Sequence, residues 1–263
     1  MAYDYTESGD GPALLFIPGS YSTQAAWKGV LRALSGSYRT ITTSLPGYGG
    51  TPERRGGDVG NMDEMTDFVA EVVTRVGEPV HLVGHSYGGL TTYASVMSGK
   101  VTALSLVTFE GNPIYAQHPD GPFAWQLGVN DMHDAFGAAV RSGSPEAAGI
   151  IIDFWTKPGT FDAMPEAFRT HCAAQAATNF LDWNSAKGFA PQLSDFAKLD
   201  MPCTIARGEA ANPAIIDLCN AITSHAPRAK LHVEPGAGHF LITTHPAQCA
   251  GVIDAHMAAF AQN

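Results

Sequence analysis

The chain has 263 residues, of which 45% are hydrophobic and 15% are charged, and its formal net charge is −10. A chain of this composition buries a sizeable core, which excludes global disorder. Nucleic-acid binding is also excluded, because phosphate contacts need clustered Lys and Arg, and the densest basic point is Arg54-Arg55. No apolar run approaches the roughly 18 residues of a membrane helix, and residues 1–9 show no signal-peptide pattern. We therefore predict a globular cytoplasmic protein, monomeric or homodimeric, that binds no membrane.

Six short apolar segments end in turns that contain glycine or proline. Segments of this length that are apolar on both faces are typical of buried parallel strands. In chain order, the predicted strands are residues 13–17, 39–43, 80–83, 102–109, 203–206 and 230–233.

Apolar residues at helical spacing follow most of these strands. The predicted helices are residues 62–76, 90–97, 212–222 and 246–260. The third helix opens with Asn212 as its N-cap and Pro213 in its first turn, a typical start signal. Alternation of strands and helices predicts an α/β fold, with a mostly parallel central sheet and helices on both faces.

The alternation is interrupted over residues 113–199, which show no strand pattern and many bulky aromatic residues. We interpret this stretch as an inserted helical cap, so that residues 1–112 and 200–263 form the α/β core. The simplest interpretation of the aromatic residues is a small core within the cap, with a minority lining a substrate pocket. The candidate pocket residues, from the cap and the core together, are Tyr21, Trp125, Trp155 and Phe240.

The four cysteines, Cys172, Cys203, Cys219 and Cys249, are far apart and form no CxxC pair. This spacing predicts buried thiols rather than a disulfide framework or a zinc site. No HExxH, DxDxDG or GxxxxGK[ST] pattern is present, and Gly47-Tyr48-Gly49-Gly50 lacks the spacing of a dinucleotide-binding loop. We predict no metal and no organic cofactor.

A glycine-rich turn, Gly84-His85-Ser86-Tyr87-Gly88, connects the predicted strand 80–83 to the predicted helix 90–97. In this GxSxG pattern the serine occupies a sharp turn, and glycines are needed because side chains would collide with the neighbouring strand and helix. The turn places the hydroxyl at a helix N-terminus, which favours negative charge. Ser86 is therefore the candidate nucleophile, and the alternative is a glycine-rich turn with a hydrogen-bonded serine.

A serine hydroxyl needs a base that removes its proton. His239 follows the last predicted strand and precedes the last predicted helix. In a parallel sheet its loop opens at the same carboxyl edge as Ser86, where ligands bind. His85 is a weaker candidate, because a neighbour of the nucleophile on the turn points elsewhere. We therefore predict His239 as the base.

Four segments together resemble the α/β-hydrolase superfamily, of the GxSxG type with a helical cap. They occur in the family's order and are residues 16–20 with Trp27 downstream, 45–49, 84–88 and 236–240. The resemblance implies Ser86 as nucleophile and His239 as general base and acid. It also implies an oxyanion hole made by the backbone N–H groups of Ser20 and Tyr87.

The acid of the triad departs from the usual pattern of this family. Many members carry Asp three residues after the glycine that closes the penultimate strand, and here Ala211 stands three residues after Gly208. Some members carry the acid at the end of the strand that ends here at Glu110. The resemblance therefore implies Glu110, and Glu209 is the alternative.

These features predict a serine hydrolase that cleaves a small-molecule carboxylic ester or lactone through an acyl-enzyme. Serine in place of aspartate argues against dehalogenases and epoxide hydrolases, which need a carboxylate nucleophile. Three alternatives stay open, namely a carbon–carbon bond hydrolase, a hydroxynitrile-lyase-like enzyme and a non-catalytic ligand-binding protein. The expected partner is a small-molecule substrate.

Overall fold

The computed structural model describes residues 2–56 and 60–262. The strands are β1 (Tyr5–Ser8), β2 (Ala13–Ile17), β3 (Arg39–Thr43), β4 (Val80–His85), β5 (Ala103–Phe109), β6 (Cys203–Gly208) and β7 (Ala229–Glu234). Within the described residues these seven strands form one sheet in the order β1-β3-β2-β4-β5-β6-β7.

Neighbouring strands pair in parallel, except that β1 runs antiparallel to β3. The predicted α/β fold with a mostly parallel sheet is confirmed, and the six predicted strands are present. The sequence pattern does not predict β1, because this strand lies at the sheet edge with three of its residues exposed and carries no apolar run. Its position is fixed by pairing with β3 rather than by burial of its own side chains.

Helices cover both faces of the sheet. They are α1 (Lys28–Ala33), α2 (Asp63–Val76), α3 (Tyr87–Met97), α4 (Gln126–Arg141), α5 (Ala147–Trp155), α6 (Glu166–Ala174), α7 (Ala176–Lys187), α8 (Pro213–His225), α9 (Leu241–Thr244) and α10 (Pro246–Phe260). Side chains alternate along the buried strands, so Leu14 and Phe16 pack with α1 and α10. Leu15 and Ile17 point the other way and pack in the cluster that contains α2, α3 and α8.

Helices α4 to α7 lie between β5 and β6, within residues 113–199, which we call the helical insertion. A bridge between Gln117 and Gln192 joins its two ends. Its large buried side chains Phe136, Trp155 and Trp183 belong to the same hydrophobic cluster as sheet residues. These three aromatic residues therefore extend the core of the sheet, whereas Phe161 packs with Ile152 and Cys172 in a small separate cluster of the insertion.

All four cysteines are free and buried, in agreement with the predicted thiols. Burial raises the pKa of each thiol, so the reactive thiolate form is disfavoured. Among the described helices none combines the length and the apolarity needed to cross a membrane.

Two buried histidines, His81 and His256, both contact the hydroxyl of Ser105 in β5. The Ser105 hydroxyl lies 2.7 Å from Nδ1 of His81 and 2.7 Å from Nε2 of His256. The Thr204 hydroxyl lies 2.8 Å from the other ring nitrogen of His256. Burial lowers the pKa of both histidines to about 4, so both rings are neutral at pH 7.

This network predicts acid sensitivity of the fold. In the unfolded chain histidine protonates near pH 6.5, whereas folded His81 and His256 protonate near pH 4. Between these values the unfolded state binds more protons, so the free energy of unfolding falls as the pH falls. We expect each histidine to contribute on the order of 2–3 kcal/mol to this fall, measured by urea denaturation. The variant His256→Gln should show a shallower dependence on pH, and an equal dependence in variant and wild type would contradict the assignment.

Candidate active site

Ser86 occupies a strained turn between β4 and α3, with φ 53° and ψ −124°. The turn is fixed because the Ser86 amide donates to the carbonyl of Phe109 at 2.9 Å. Glycine is required close by, since a Cβ on Gly88 would lie 2.3 Å from the carbonyl oxygen of Pro18. The GxSxG pattern therefore corresponds to a real close approach of the α3 backbone to the loop after β2.

Three side chains form one hydrogen-bonded series at the carboxyl edge of the sheet. The Ser86 hydroxyl lies 3.0 Å from Nε2 of His239. Nδ1 of His239 lies 2.7 Å from Oε2 of Glu110. Ser86 and His239 are each 7% exposed and Glu110 is fully buried. The structure thus brings together the predicted nucleophile, base and acid, with distances that allow a proton to pass from the serine to the histidine.

Glu110 is held at the end of β5 by contacts on both of its carboxylate oxygens. It has a φ of 50°, which turns the chain sharply after the strand. Oε1 accepts a hydrogen bond of 2.9 Å from the amide of Gly208 in the neighbouring strand β6. Burial opposes ionisation, but the contacts with His239 and Gly208 outweigh it and lower the pKa of Glu110. The group is therefore a carboxylate at neutral pH.

Glu209, the alternative acid, has a different partner. Its carboxylate is exposed and accepts a hydrogen bond from the amide of Gly236 at 2.9 Å. This contact closes the loop between β6 and β7. Of the two candidates, Glu110 is the one that the structure places on the His239 ring.

Two backbone amides are positioned near the Ser86 hydroxyl. Tyr87 is the first residue of α3, where amides have no partner inside the helix. A Cβ on Gly19 would lie 2.9 Å from Cβ of Ser86, so the loop that carries Ser20 passes directly over the serine. Within residues 2–56 and 60–262 the amides of Ser20 and Tyr87 have no hydrogen-bond acceptor. The predicted oxyanion donors are thus available beside Ser86.

The sequence gives no sign of the contact that anchors Ser20 to the helical insertion. The Ser20 hydroxyl donates to Oδ2 of Asp182 in α7 at 2.5 Å. Asp182 is 1% exposed and is also bound by Tyr48 at 2.6 Å and by Arg55 at 2.5 Å. No local pattern marks these residues, because the contact joins positions 162 residues apart in the chain.

A cavity of about 430 Å³ lies over Ser86 and His239, between the sheet edge and the helical insertion. Most of its lining is apolar. Tyr21, Trp155 and Phe240 line it, as predicted from the sequence. Trp125 does not line it, because its indole donates to Asp217 at 3.1 Å and stacks on Phe123 outside the cavity.

His85 supports the loop that carries His239. Its Nε2 lies 2.9 Å from the carbonyl oxygen of His239, so this nitrogen carries the proton. Burial and the neighbouring His239 lower the pKa of His85 to about 4, which keeps the ring neutral. His85 therefore holds the His239 backbone and does not point toward the Ser86 hydroxyl.

Residues 14–252 match the family model described as "Alpha/beta hydrolase family". The chain belongs to the alpha/beta hydrolase family. In structure it is similar to MenH from S. aureus, with a TM-score of 0.78 and 17% identity over 99% of both chains. The predicted family, fold class and general class of enzyme, an α/β-fold hydrolase, are confirmed.

Curated relatives of this chain include esterases. The pimeloyl-[acyl-carrier protein] methyl ester esterase of Nitrosomonas europaea is 23% identical over 260 residues, which cover 94% of this chain and 96% of that protein. The protein of the same name from Aeromonas hydrophila is 29% identical over 123 residues, 46% of each chain. The chain thus spans about half the length of this second relative.

The close approach at Gly88 predicts an unequal response to the same substitution at two glycines. Gly88→Ala would press a methyl group against the backbone of Pro18, and overpacking of this kind costs about 1–3 kcal/mol or more. Gly251, exposed in the middle of α10, has no atom within 4 Å of an added Cβ. Gly251→Ala should therefore stabilise the protein by about 0.5–1 kcal/mol. Urea denaturation measures both changes, and equal effects would contradict the packing argument.

Proposed function

We propose that the protein is a serine hydrolase that cleaves a small-molecule carboxylic ester or lactone through an acyl-enzyme intermediate. The observation that carries this proposal is the unbroken hydrogen-bonded series of Ser86, His239 and Glu110. Its open end, the Ser86 hydroxyl, lines the cavity. Such a series activates a serine as a nucleophile.

In the first half of the reaction, Nε2 of His239 takes the hydroxyl proton while Oγ of Ser86 attacks the substrate carbonyl carbon. The carbonyl oxygen becomes an oxyanion and accepts hydrogen bonds from the amides of Ser20 and Tyr87. Donors of this kind contribute about 3–4 kcal/mol each where they have been removed. The bond to the leaving oxygen then breaks, and His239 gives its proton to the departing alcohol. The product of this half-reaction is an ester of Ser86.

In the second half, water attacks the acyl-enzyme. His239 removes a proton from the water, and the same two amides hold the second oxyanion. The acid product leaves as His239 returns the proton to Ser86. Throughout, the buried carboxylate of Glu110 orients the imidazole and balances its positive charge.

The cavity and the relatives both support an ester as the substrate. A mainly apolar cavity of about 430 Å³ suits a small uncharged ester rather than a polymer. The relatives from Nitrosomonas europaea and Aeromonas hydrophila are named as methyl ester esterases. A methyl ester leaves a small alcohol, which needs little space on the leaving-group side of Ser86.

Replacement of the nucleophile or the base should abolish hydrolysis. With p-nitrophenyl acetate or butyrate, we expect Ser86→Ala and His239→Ala to lower kcat about a millionfold, because each removes a member of a unit that acts together. Two residues away from the site provide matched controls, since Ser224 is exposed on α8 and His118 is half-buried and lies outside the cavity lining. Ser224→Ala and His118→Ala should retain the activity of the wild type.

The opposite outcomes separate the alternatives. Activity that survives Ser86→Ala would rule out the mechanism. A folded wild type that turns over neither esters nor lactones, and whose Ser86 is not labelled by a fluorophosphonate, would point to a ligand-binding protein. If Ser86 is labelled but the protein turns over only diketones or cyanohydrins, the nucleophile is confirmed and the substrate class is not an ester.

The two acidic candidates predict a clear difference in activity. Glu110→Gln removes the charge that balances the imidazolium of His239, and we expect kcat to fall about 10³–10⁴-fold. Glu209→Gln changes an exposed side chain that binds Gly236 and should leave kcat close to that of the wild type. Steady-state kinetics of the two variants measures the difference. A loss confined to Glu209→Gln would overturn the assignment of Glu110.

A further inference from the structure

The ring of His239 has an aromatic partner that the reaction scheme above does not use. Trp155, the last residue of α5, stacks on this imidazole, with ring centroids 5.2 Å apart and an angle of 14° between the planes. Trp155 also stacks on Trp183 of α7, at 5.9 Å and 22°. Trp183 in turn stacks on His133 of α4, at 6.0 Å and 27°. A continuous series of stacked rings therefore leads from the base into the helical insertion.

This stacking has a direct electrostatic consequence for the proposed reaction. When His239 takes the proton of Ser86, its ring becomes a planar cation. A cation that lies over the face of an indole, within about 6 Å of the ring centroid, is attracted by the negative π face, and more strongly where water is excluded. Trp155 is 7% exposed, so little solvent screens the contact. Glu110 meets the same cation in the plane of the ring, while Trp155 meets it from above.

We propose that Trp155 is a positioning residue of the base, which stabilises the imidazolium of His239 and holds its ring in the plane that joins Ser86 and Glu110. This inference rests on the proposed function, because it assigns a role in the same proton transfer. It also means that the helical insertion takes part in setting the reactivity of the site, in addition to forming a wall of the cavity.

Other titratable groups face His239 and stay in place when Trp155 is changed. Glu110 contacts Nδ1 of His239, and the centroid of the neutral His85 ring lies 5.3 Å from that of the His239 ring. Cys219 of α8 and Cys249 of α10 lie close enough to interact with Glu110. A change in the protonation of His239 caused by a Trp155 variant therefore reports the loss of the indole.

The experiment compares Trp155→Leu with Trp155→Phe. Leucine keeps an apolar side chain without a π face, whereas phenylalanine keeps a smaller π face. NMR titration of the His239 ring protons in each full-length variant measures its protonation midpoint without any need for turnover. We expect the midpoint of Trp155→Leu to fall by about 0.5–1.5 pH units, since each unit corresponds to about 1.4 kcal/mol, and that of Trp155→Phe to fall by less.

Kinetics provides the second readout. Because a less stable imidazolium protonates at lower pH, the acid limb of the pH profile of kcat/KM should move to lower pH in Trp155→Leu. We expect kcat to fall about 5- to 30-fold at the plateau, which corresponds to about 1–2 kcal/mol, with partial recovery in Trp155→Phe. A merely structural role, or a role in substrate contact alone, would change stability or KM and leave the position of the acid limb unmoved.

Two further tryptophans serve as controls for the loss of an indole. Trp125→Leu removes an indole of the same insertion that lies outside the cavity lining and should leave both the titration and the kinetics unchanged. Trp183→Leu removes a cavity-lining indole that stacks on Trp155 but not on His239, and it should affect KM more than the His239 midpoint. A His239 midpoint that is equal in wild type, Trp155→Leu and Trp155→Phe overturns the inference, whether or not the protein hydrolyses esters. Shifted midpoints in a protein without esterase activity support the stacking and contradict only the proposed function.

Discussion

The geometry of the site depends on one buried hydrogen bond, between the carboxylate of Glu110 and the ring of His239. A carboxylate with no exposure to water is costly unless hydrogen bonds compensate for its lost hydration. Glu110 obtains this compensation from two sources, the ring of His239 and the amide of Gly208. The Gly208 amide can reach Glu110 because β5 and β6 are neighbouring parallel strands. The strand order of the sheet therefore helps to keep Glu110 ionised.

The same edge of the sheet also fixes the backbone conformation of Ser86. Ser86 and Glu110 both follow buried parallel strands, and both have a positive φ that turns the chain away from the sheet within one residue. Strain of this kind is tolerated where surrounding contacts fix the conformation. The amide of Ser86 donates to the carbonyl of Phe109, next to Glu110 in sequence, so the turn at Ser86 is held by the strand that leads into Glu110. The two residues are therefore positioned together.

The features that the sequence predicts correctly are those that leave a pattern within a short segment of the chain. Buried strands are apolar on both faces, and the turn around Ser86 has a glycine spacing with a steric cause, so the six strands and the fold class can be predicted from short segments. The polar edge strand Tyr5–Ser8 has no such signal. Trp125 was predicted to line the cavity because it is aromatic and lies in the insertion, and the start of α4 instead places it against Asp217. Contacts such as Ser20 with Asp182 join distant segments and leave no local pattern.

The helical insertion contacts the proposed catalytic groups at two separate points. Asp182 in α7 binds the hydroxyl of Ser20, whose amide is the proposed oxyanion donor, and Trp155 in α5 stacks on His239. In the proposed mechanism, the first contact positions the amide that would stabilise the charge on the substrate, and the second stabilises the charge on the ring of His239. Because the proposed mechanism develops both charges in the same transition state, a displacement of α5 and α7 would weaken both stabilising effects at once. Sequence changes in the insertion are therefore expected to alter the rate of the chemical step as well as the choice of substrate.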